Sequence, residues 1–221
     1  SAGVVPVSDF ETVKGLDTLT TNYGQPLATQ FMYINEDVVS DEKTRQAISY
    51  AMNRQQIVDS LLKGAGEVTD GFFTSMSPYL DENIKPVAYD AAKAKSLVEE
   101  SKWDKTKKLK LAVLSGDATL EKAANIMAEN LRAAGIETQI QMTDLSTLLD
   151  DIVKKDYDLA VLTVSITPVN PLPDIAYFIG EGNPNGYDNK RVNEILAALS
   201  TEVDEAKIEK LYSELQEITQ Q

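Results

Sequence analysis

Histidine and cysteine are both absent from the 221 residues. With them go Ser-His-Asp and Cys-His nucleophilic catalysis, zinc sites built on Cys or His, and disulfides. Absence of cysteine is compatible with any redox compartment, and any catalyst would have to draw on carboxylates, lysine or tyrosine. Cations are also scarce: 21 Lys and Arg stand against 35 Asp and Glu, a formal charge of -14. Binding a phosphate backbone needs clustered positive charge, so nucleic acid is not an expected partner. The densest basic run, Lys102 to Lys110 with Lys105, Lys107 and Lys108, is short and reads as a solvated turn before a strand. No apolar run approaches the length that spans a bilayer. Neither an internal repeat nor a low-complexity tract interrupts the chain. Its opening, Ser1-Ala2-Gly3-Val4, has no initiator Met and no signal-peptide pattern, as expected of a processed protein or of a piece of a longer one.

What is present is ordinary for a globular protein, 43% hydrophobic and 25% charged, enough to bury one substantial core. Residues 1–27 read as connection, with Gly24-Gln25-Pro26 a turn. Ala28 to Asn35 reads as a strand. From Asp41 to about Lys63 apolar residues recur in pairs: Ala47 and Ile48, Ala51 and Met52, Ile57 and Val58, Leu61 and Leu62. That spacing paints one stripe along two short helices broken near Asn53, and Gly64-Ala65-Gly66 ends the second. Glu67 to Val87 is a long irregular stretch, and a loop of that length is usually functional or wrapped over a surface.

A helix from Asp90 precedes a regular alternation of strand and helix. Leu109, Leu111 and Val113 alternate with Lys108, Lys110 and Ala112 as a half-buried strand. Leu120 to Ala134 is helical, with Asp117 as N-cap and Gly135 closing it. Ile136, Thr138, Ile140 and Met142 form a second strand, and Leu145, Leu148, Leu149, Ile152 and Val153 a helix. Leu159 to Val164 is nearly all apolar, as in a strand covered on both faces. This β-α-β-α-β order predicts an α/β fold with a largely parallel sheet, helices on both faces and right-handed crossovers. Ligands bind such sheets beyond the C-terminal strand ends, here Leu114 to Asp117, Thr143-Asp144 and Ser165 to Pro173.

The obvious chemical candidates are weak. Glu99/Glu100 and Asp150/Asp151 are helix neighbours that do not face each other, so they read as solvated surface. Asp81/Glu82 carries no dyad pattern either, and Asp156/Asp158 falls at the strand entrance away from the ligand face. Gly180-Glu181-Gly182-Asn183 and Gly64-Ala65-Gly66 lack the framing of phosphate loops and read as turns. Trp103 directly follows the Asp90 helix and reads as a packing residue. The loop Ser165 to Asp174 is stronger, because Pro168, Pro171 and Pro173 stiffen it where it leaves a buried strand. Its backbone and hydroxyls suit an extended solute, and pre-ordering lowers the entropy cost. Capping of the sheet is the competing structural reading. Solute contacts are expected from Ser165, Ile166, Thr167 and Asn170, and from Phe72 and Phe73 of the irregular stretch.

Four stretches, in order, resemble the peptide-binding family of ABC-transporter solute receptors (oligopeptide, dipeptide and nickel type). They are the Arg45-Gln46-Ala47 helix running to Asn53-Arg54, Tyr89-Asp90-Ala91-Ala92-Lys93-Ala94-Lys95-Ser96-Leu97, Tyr157-Asp158-Leu159-Ala160, and Gly186-Tyr187-Asp188-Asn189 followed by Val192 and Ile195-Leu196. The resemblance runs from about Ala28 to the C-terminus and implies a periplasmic-binding-protein-like lobe. Residues 1–35 are then a connecting segment with a hinge-side strand. Residues 36–221 are the C-terminal ligand-binding lobe of a receptor more than twice this length.

The implied function is capture of a solute or peptide in a hinged cleft and delivery to ABC permease subunits, with no catalysis, cofactor or metal. The implied location is extracytoplasmic, with membrane association only through a lipid anchor outside this chain. Lobes of this type also occur behind DNA-binding domains as cytoplasmic solute sensors, which is the alternative function. One departure stands out. In many peptide receptors the loop reads Trp-x-x-Asp-Tyr-x-Asp-Pro, and its first Asp holds the peptide amine. Here those positions are Val164, Thr167 and Asn170, with Pro171 retained, so the loop itself brings no charge anchor.

Overall fold

The computed structural model describes residue 5 and residues 9–21 and 28–220, so the expected turn at Gly24-Gln25-Pro26 lies outside the described residues. Within the leading segment a short helix, α1 (Phe10–Lys14), buries none of its residues. The first strand, β1 (Thr29–Ile34), leads to the helical pair α2 (Glu42–Ala51) and α3 (Arg54–Leu61). Asp41 caps α2 by accepting from the Thr44 N–H, and Asn53 caps α3 by accepting from that of Gln56. The break between the helices is therefore a second N-cap, and it keeps Ala47, Ile48, Ala51, Ile57 and Val58 all buried. After α3 the first residue in the left-handed region is Lys63, at φ 49°, with Gly64 following at φ 78°.

Next come α4 (Ala91–Glu100), β2 (Lys108–Leu114), α5 (Ala118–Ala134), β3 (Glu137–Thr143), α6 (Leu145–Lys154) and β4 (Leu159–Val164). The chain closes with α7 (Leu172–Ile179), α8 (Lys190–Leu199) and α9 (Glu205–Thr219). The four strands form one sheet in the order β1-β4-β2-β3. β2 runs parallel to both β3 and β4, and β1 pairs antiparallel with β4, Thr29 opposite Val164 and Ile34 opposite Leu159. The fold is α/β with a mostly parallel sheet, as expected.

Helices cover both faces. One core joins α2, α4 and α5 to Leu109, Leu111, Val113, Leu159 and Val161 of the strands. The other joins α6, α7, α8 and α9 to Tyr33, Ala112, Ala160 and Leu162. Central placement buries Ala112 as well as its neighbours, so β2 is not the half-buried strand its alternation suggests. Edge placement does the opposite to β3, where Met142 is exposed. On α6 only Leu148 and Ile152 are buried, while Leu145, Leu149 and Val153 of the expected stripe face outward.

The irregular stretch is a strap across the second core. Its near end is fixed by Asp70, which pairs with Arg54 at 3.1 Å and accepts from the Val87 N–H at 2.8 Å. Its middle is held by Gln216 of α9, which accepts from Asp81 N–H and donates to the Tyr79 carbonyl. Among the described residues no helix is long and apolar enough to cross a membrane.

Candidate functional site

Parallel strands gather their C-terminal ends on one edge. There the loops after β2, β3 and β4 stand side by side, and α5, α6 and α7 begin. Each of the first two helices starts on an aspartate: Asp117 accepts from the Thr119 and Leu120 N–H groups, and Asp144 from that of Thr147. Hydrogen bonding to Thr147, first through its hydroxyl and then its backbone, holds the Asp144 carboxyl below the usual carboxylate range. Glu121 turns back to accept from the Gly116 N–H at 2.9 Å.

The loop after β4 is fixed from two sides. The Asn170 N–H donates to the Thr167 carbonyl, closing a turn at 3.3 Å. The Thr167 N–H donates to Asp174 Oδ2 at 2.8 Å, tying the loop to the first turn of α7. From across the sheet the strap reaches over, and Ser77 donates its hydroxyl to the Pro168 carbonyl at 3.1 Å.

Between strap and loop lies a small crevice of about 40 Å3, flanked by Phe72, Thr74 and Ser77 on one side and Ile166, Pro168 and Pro171 on the other. Phe72 is one of a trio of near-parallel rings. Its centroid is 5.7 Å from Phe31 of β1 and 5.8 Å from Phe178 of α7, and Phe31 and Phe178 stand 6.0 Å apart. Tyr33 meets Phe178 edge-on at 5.5 Å, so the wall continues into the core.

The expected contact residues separate into two groups. Phe72 and Ile166 line the crevice together, and Ser165, Thr167 and Asn170 are exposed on the loop above it. Phe73 points the other way: it is 3% exposed and packs edge-on against Tyr212. Phe73 therefore supports the strap from beneath.

Sequence reasoning missed Asp174, which brings a carboxylate to Thr167 from seven positions on. It also missed Ser77, whose hydroxyl joins strap to loop. The signal for Asp174 was its place in the first turn after Pro171, where an acid suits a helix N-terminus.

A larger open groove of about 400 Å3 lies at the opposite end of the sheet, between Val38–Thr44 and Lys102–Lys107. Trp103 lines it, but its Nε1 is buried and has no hydrogen-bond partner, so the indole N–H is sealed from the groove. The groove lies at the N-terminal ends of the parallel strands, where the one helix start among its lining residues, that of α2, is capped by Asp41. Among the described residues no group of three or more Asp or Glu is placed to hold a metal.

An α/β lobe with a stiffened loop and an aromatic wall at the C-terminal strand ends belongs to a class of solute-binding folds. The chain belongs to the bacterial extracellular solute-binding proteins, family 5 Middle, whose pattern it matches over residues 2–186. It is 27% identical over 181 residues to the oligopeptide-binding protein AppA of Bacillus subtilis, covering 72% of this chain and 32% of that one. Against the nickel-binding periplasmic protein of Escherichia coli it is 25% identical over 152 residues, 62% of this chain and 29% of that one. The crystal structure of a putative peptide binding protein AppA from Clostridium difficile superposes with a TM-score of 0.88 at 21% identity, over 98% of this chain and 47% of that one. The chain thus spans about a third of these curated relatives and half of the solved one, and its fold is that of an ABC substrate-binding protein lobe.

Proposed function

We propose that this chain is one lobe of an extracytoplasmic receptor that takes up a peptide and hands it to an ABC permease. Residues 36–221 form the lobe, and β1 within residues 1–35 lies on its hinge side. The crevice between Phe72 and Ile166, under a loop stiffened by three prolines, carries this reading. An apolar wall beside exposed carbonyls and hydroxyls at Ser165, Thr167 and Asn170 suits a chain of amides bearing side chains. A clamp gains affinity by burying its solute between two lobes, and one lobe leaves much of the solute in water.

The test compares this chain with the full-length gene product by calorimetry against a pool of short peptides. Full-length protein should bind with dissociation constants of micromolar or below, and the 221-residue chain at least a hundredfold more weakly. Equal affinities for the two would remove the two-lobe reading, and no binding by either would remove the peptide. Two predicted features need the full-length sequence: a lipid-attachment site supports the surface receptor, and a helix-turn-helix would replace it with a solute-sensing regulator.

A further inference from the structure

Asn185 is the one asparagine of the chain followed by glycine, and the pair stands in the turn between α7 and α8. Asparagine before glycine is the step most open to deamidation, because glycine is conformationally free and has no side chain to hinder attack by its backbone nitrogen. The fold nevertheless requires both residues. Gly186 lies at φ 81°, and a Cβ there would stand 3.3 Å from Asp37 Oδ1 and 3.4 Å from Lys155 Nζ, the members of an ion pair. Asn185 must both give and take a hydrogen bond through its side chain. Its Nδ2 donates to the Phe178 carbonyl at 2.9 Å, and its Oδ1 accepts from the Tyr157 hydroxyl at 2.9 Å. An ionised carboxylate could only accept.

The Asn185 backbone is held as well. Its N–H donates to Asn183 Oδ1 at 3.0 Å, and its carbonyl accepts from the Glu36 N–H at 2.9 Å. This half-buried residue thus ties its own turn to the end of α7, the α6–β4 connection and the β1–α2 connection. Burial, with the Asp37 charge adding to it, pushes the Tyr157 phenol well above its ordinary range, so it stays a donor in mildly alkaline solution.

We propose that Asn185 is a deamidation site latched shut by the folded lobe, converting only when the α7–α8 turn comes open. In the reaction the Gly186 nitrogen, its proton taken by hydroxide, bonds to Cγ of Asn185. The Cγ–Nδ2 bond breaks, and the nitrogen takes a proton from water and leaves as ammonia, which regenerates the hydroxide. Water then opens the succinimide to aspartate or isoaspartate at position 185. The attacked carbon has to become tetrahedral on the way, which a planar amide held at both ends resists. The product cannot restore the latch, since it has lost the donor to Phe178, and isoaspartate also inserts a methylene into the backbone. Conversion is therefore a one-way record of opening.

The test incubates the chain at mildly alkaline pH in heavy-oxygen water, folded in one arm and unfolded by urea in the other. Mass spectrometry of the tryptic fragment Asp156–Lys190 locates the incorporated oxygen. Label should enter at position 185 in urea, and roughly tenfold to a hundredfold more slowly in the folded chain, the scale of two side-chain hydrogen bonds that must open. Tyr157→Phe removes one of those bonds and keeps the ring. It should speed conversion of the folded chain by about twofold to tenfold while amide exchange in α5 stays unchanged.

Equal rates in the folded and unfolded chain would overturn the latch. So would an unaltered folded rate in Tyr157→Phe, or a rise matched by faster exchange in α5, which marks global unfolding instead. Conversion in urea at another asparagine ahead of Asn185, or none at all, would overturn the site itself.

Discussion

Single buried polar residues hold the loops of this lobe in shape. Asn183 is the clearest: its Oδ1 accepts from the Asn185 and Tyr187 N–H groups, and its Nδ2 donates to the Gly180 and Tyr187 carbonyls. Asn183→Ala strands those backbone groups together, so it should lower stability by about 2–4 kcal/mol, read as a shift in urea midpoint. Phenols give a second test. Burial, with neighbouring tyrosines adding to it, pushes Tyr33 well above the ordinary range, and burial pushes Tyr212 up to about 12. Their folded values exceed the unfolded value of about 10, so the folded state loses nothing below that pH. Stability then falls as pH rises from about 10 toward 12, because only unfolded phenols ionise there. Tyrosinate absorbance should show one set of tyrosines titrating normally and another appearing only with unfolding. Tyr212→Phe should recover on the order of 2 kcal/mol above pH 11 and little at neutral pH.

At the scale of elements, the strap from Glu67 to Val87 is the part that propensity does not explain. It has no ladder of its own; isolated turns such as Ser77 N–H to the Thr74 carbonyl and Ile84 N–H to the Asp81 carbonyl serve some of its backbone, and side chains from elsewhere serve others. Gln216 serves Asp81 and Tyr79, and Ser213 donates to Asp81 Oδ2 at 2.6 Å. Gln216→Ala should therefore cost about 1–3 kcal/mol and speed amide exchange at Asp81, while amides in α5 stay protected. Exchange unchanged at Asp81 would show that the strap is held by packing alone.

This also marks where the sequence was legible. Strands and helices with a clear period, such as Leu109 to Val113 and Leu120 to Ala134, appear where the pattern put them, and so does the cap at Asp117, while Asp41, Asn53 and Asp90 turn out to cap the helices expected to begin near them. Exposure was less legible, since Met142, Leu149 and Val153 depend on which strand lies at the edge and which helix lacks a neighbour. The partners of Ser77, Asp174 and Gln216 were not legible, because pairs such as Ser77 with Pro168 form only once distant segments are folded together. Thr167 illustrates both: its lack of charge was readable, but the carboxylate resting on its N–H was not.

For the molecule as a whole, β1 is the element on which closure of the sheet depends. It covers one edge of β4 with six paired residues and contributes Phe31 to the stack behind Phe72. Removing residues 29–34 should leave β4 with an open apolar edge and no wall for the crevice, and the shortened chain should aggregate. Light scattering checks this, and a monomeric, soluble product with an unchanged circular dichroism spectrum would count against it.

The pairing of Thr29 with Val164 has a consequence in time as well as in space. A ribosome or a secretion channel delivers a chain from its N-terminus, so β1 emerges well before β4, its partner strand among the described residues. Until Leu159 to Val164 has appeared, β1 lacks that partner. Such distant pairings are slow to form. A chain arrested short of Leu159 therefore stays open and threadable, and completion of the sheet reports that β4 has left the channel.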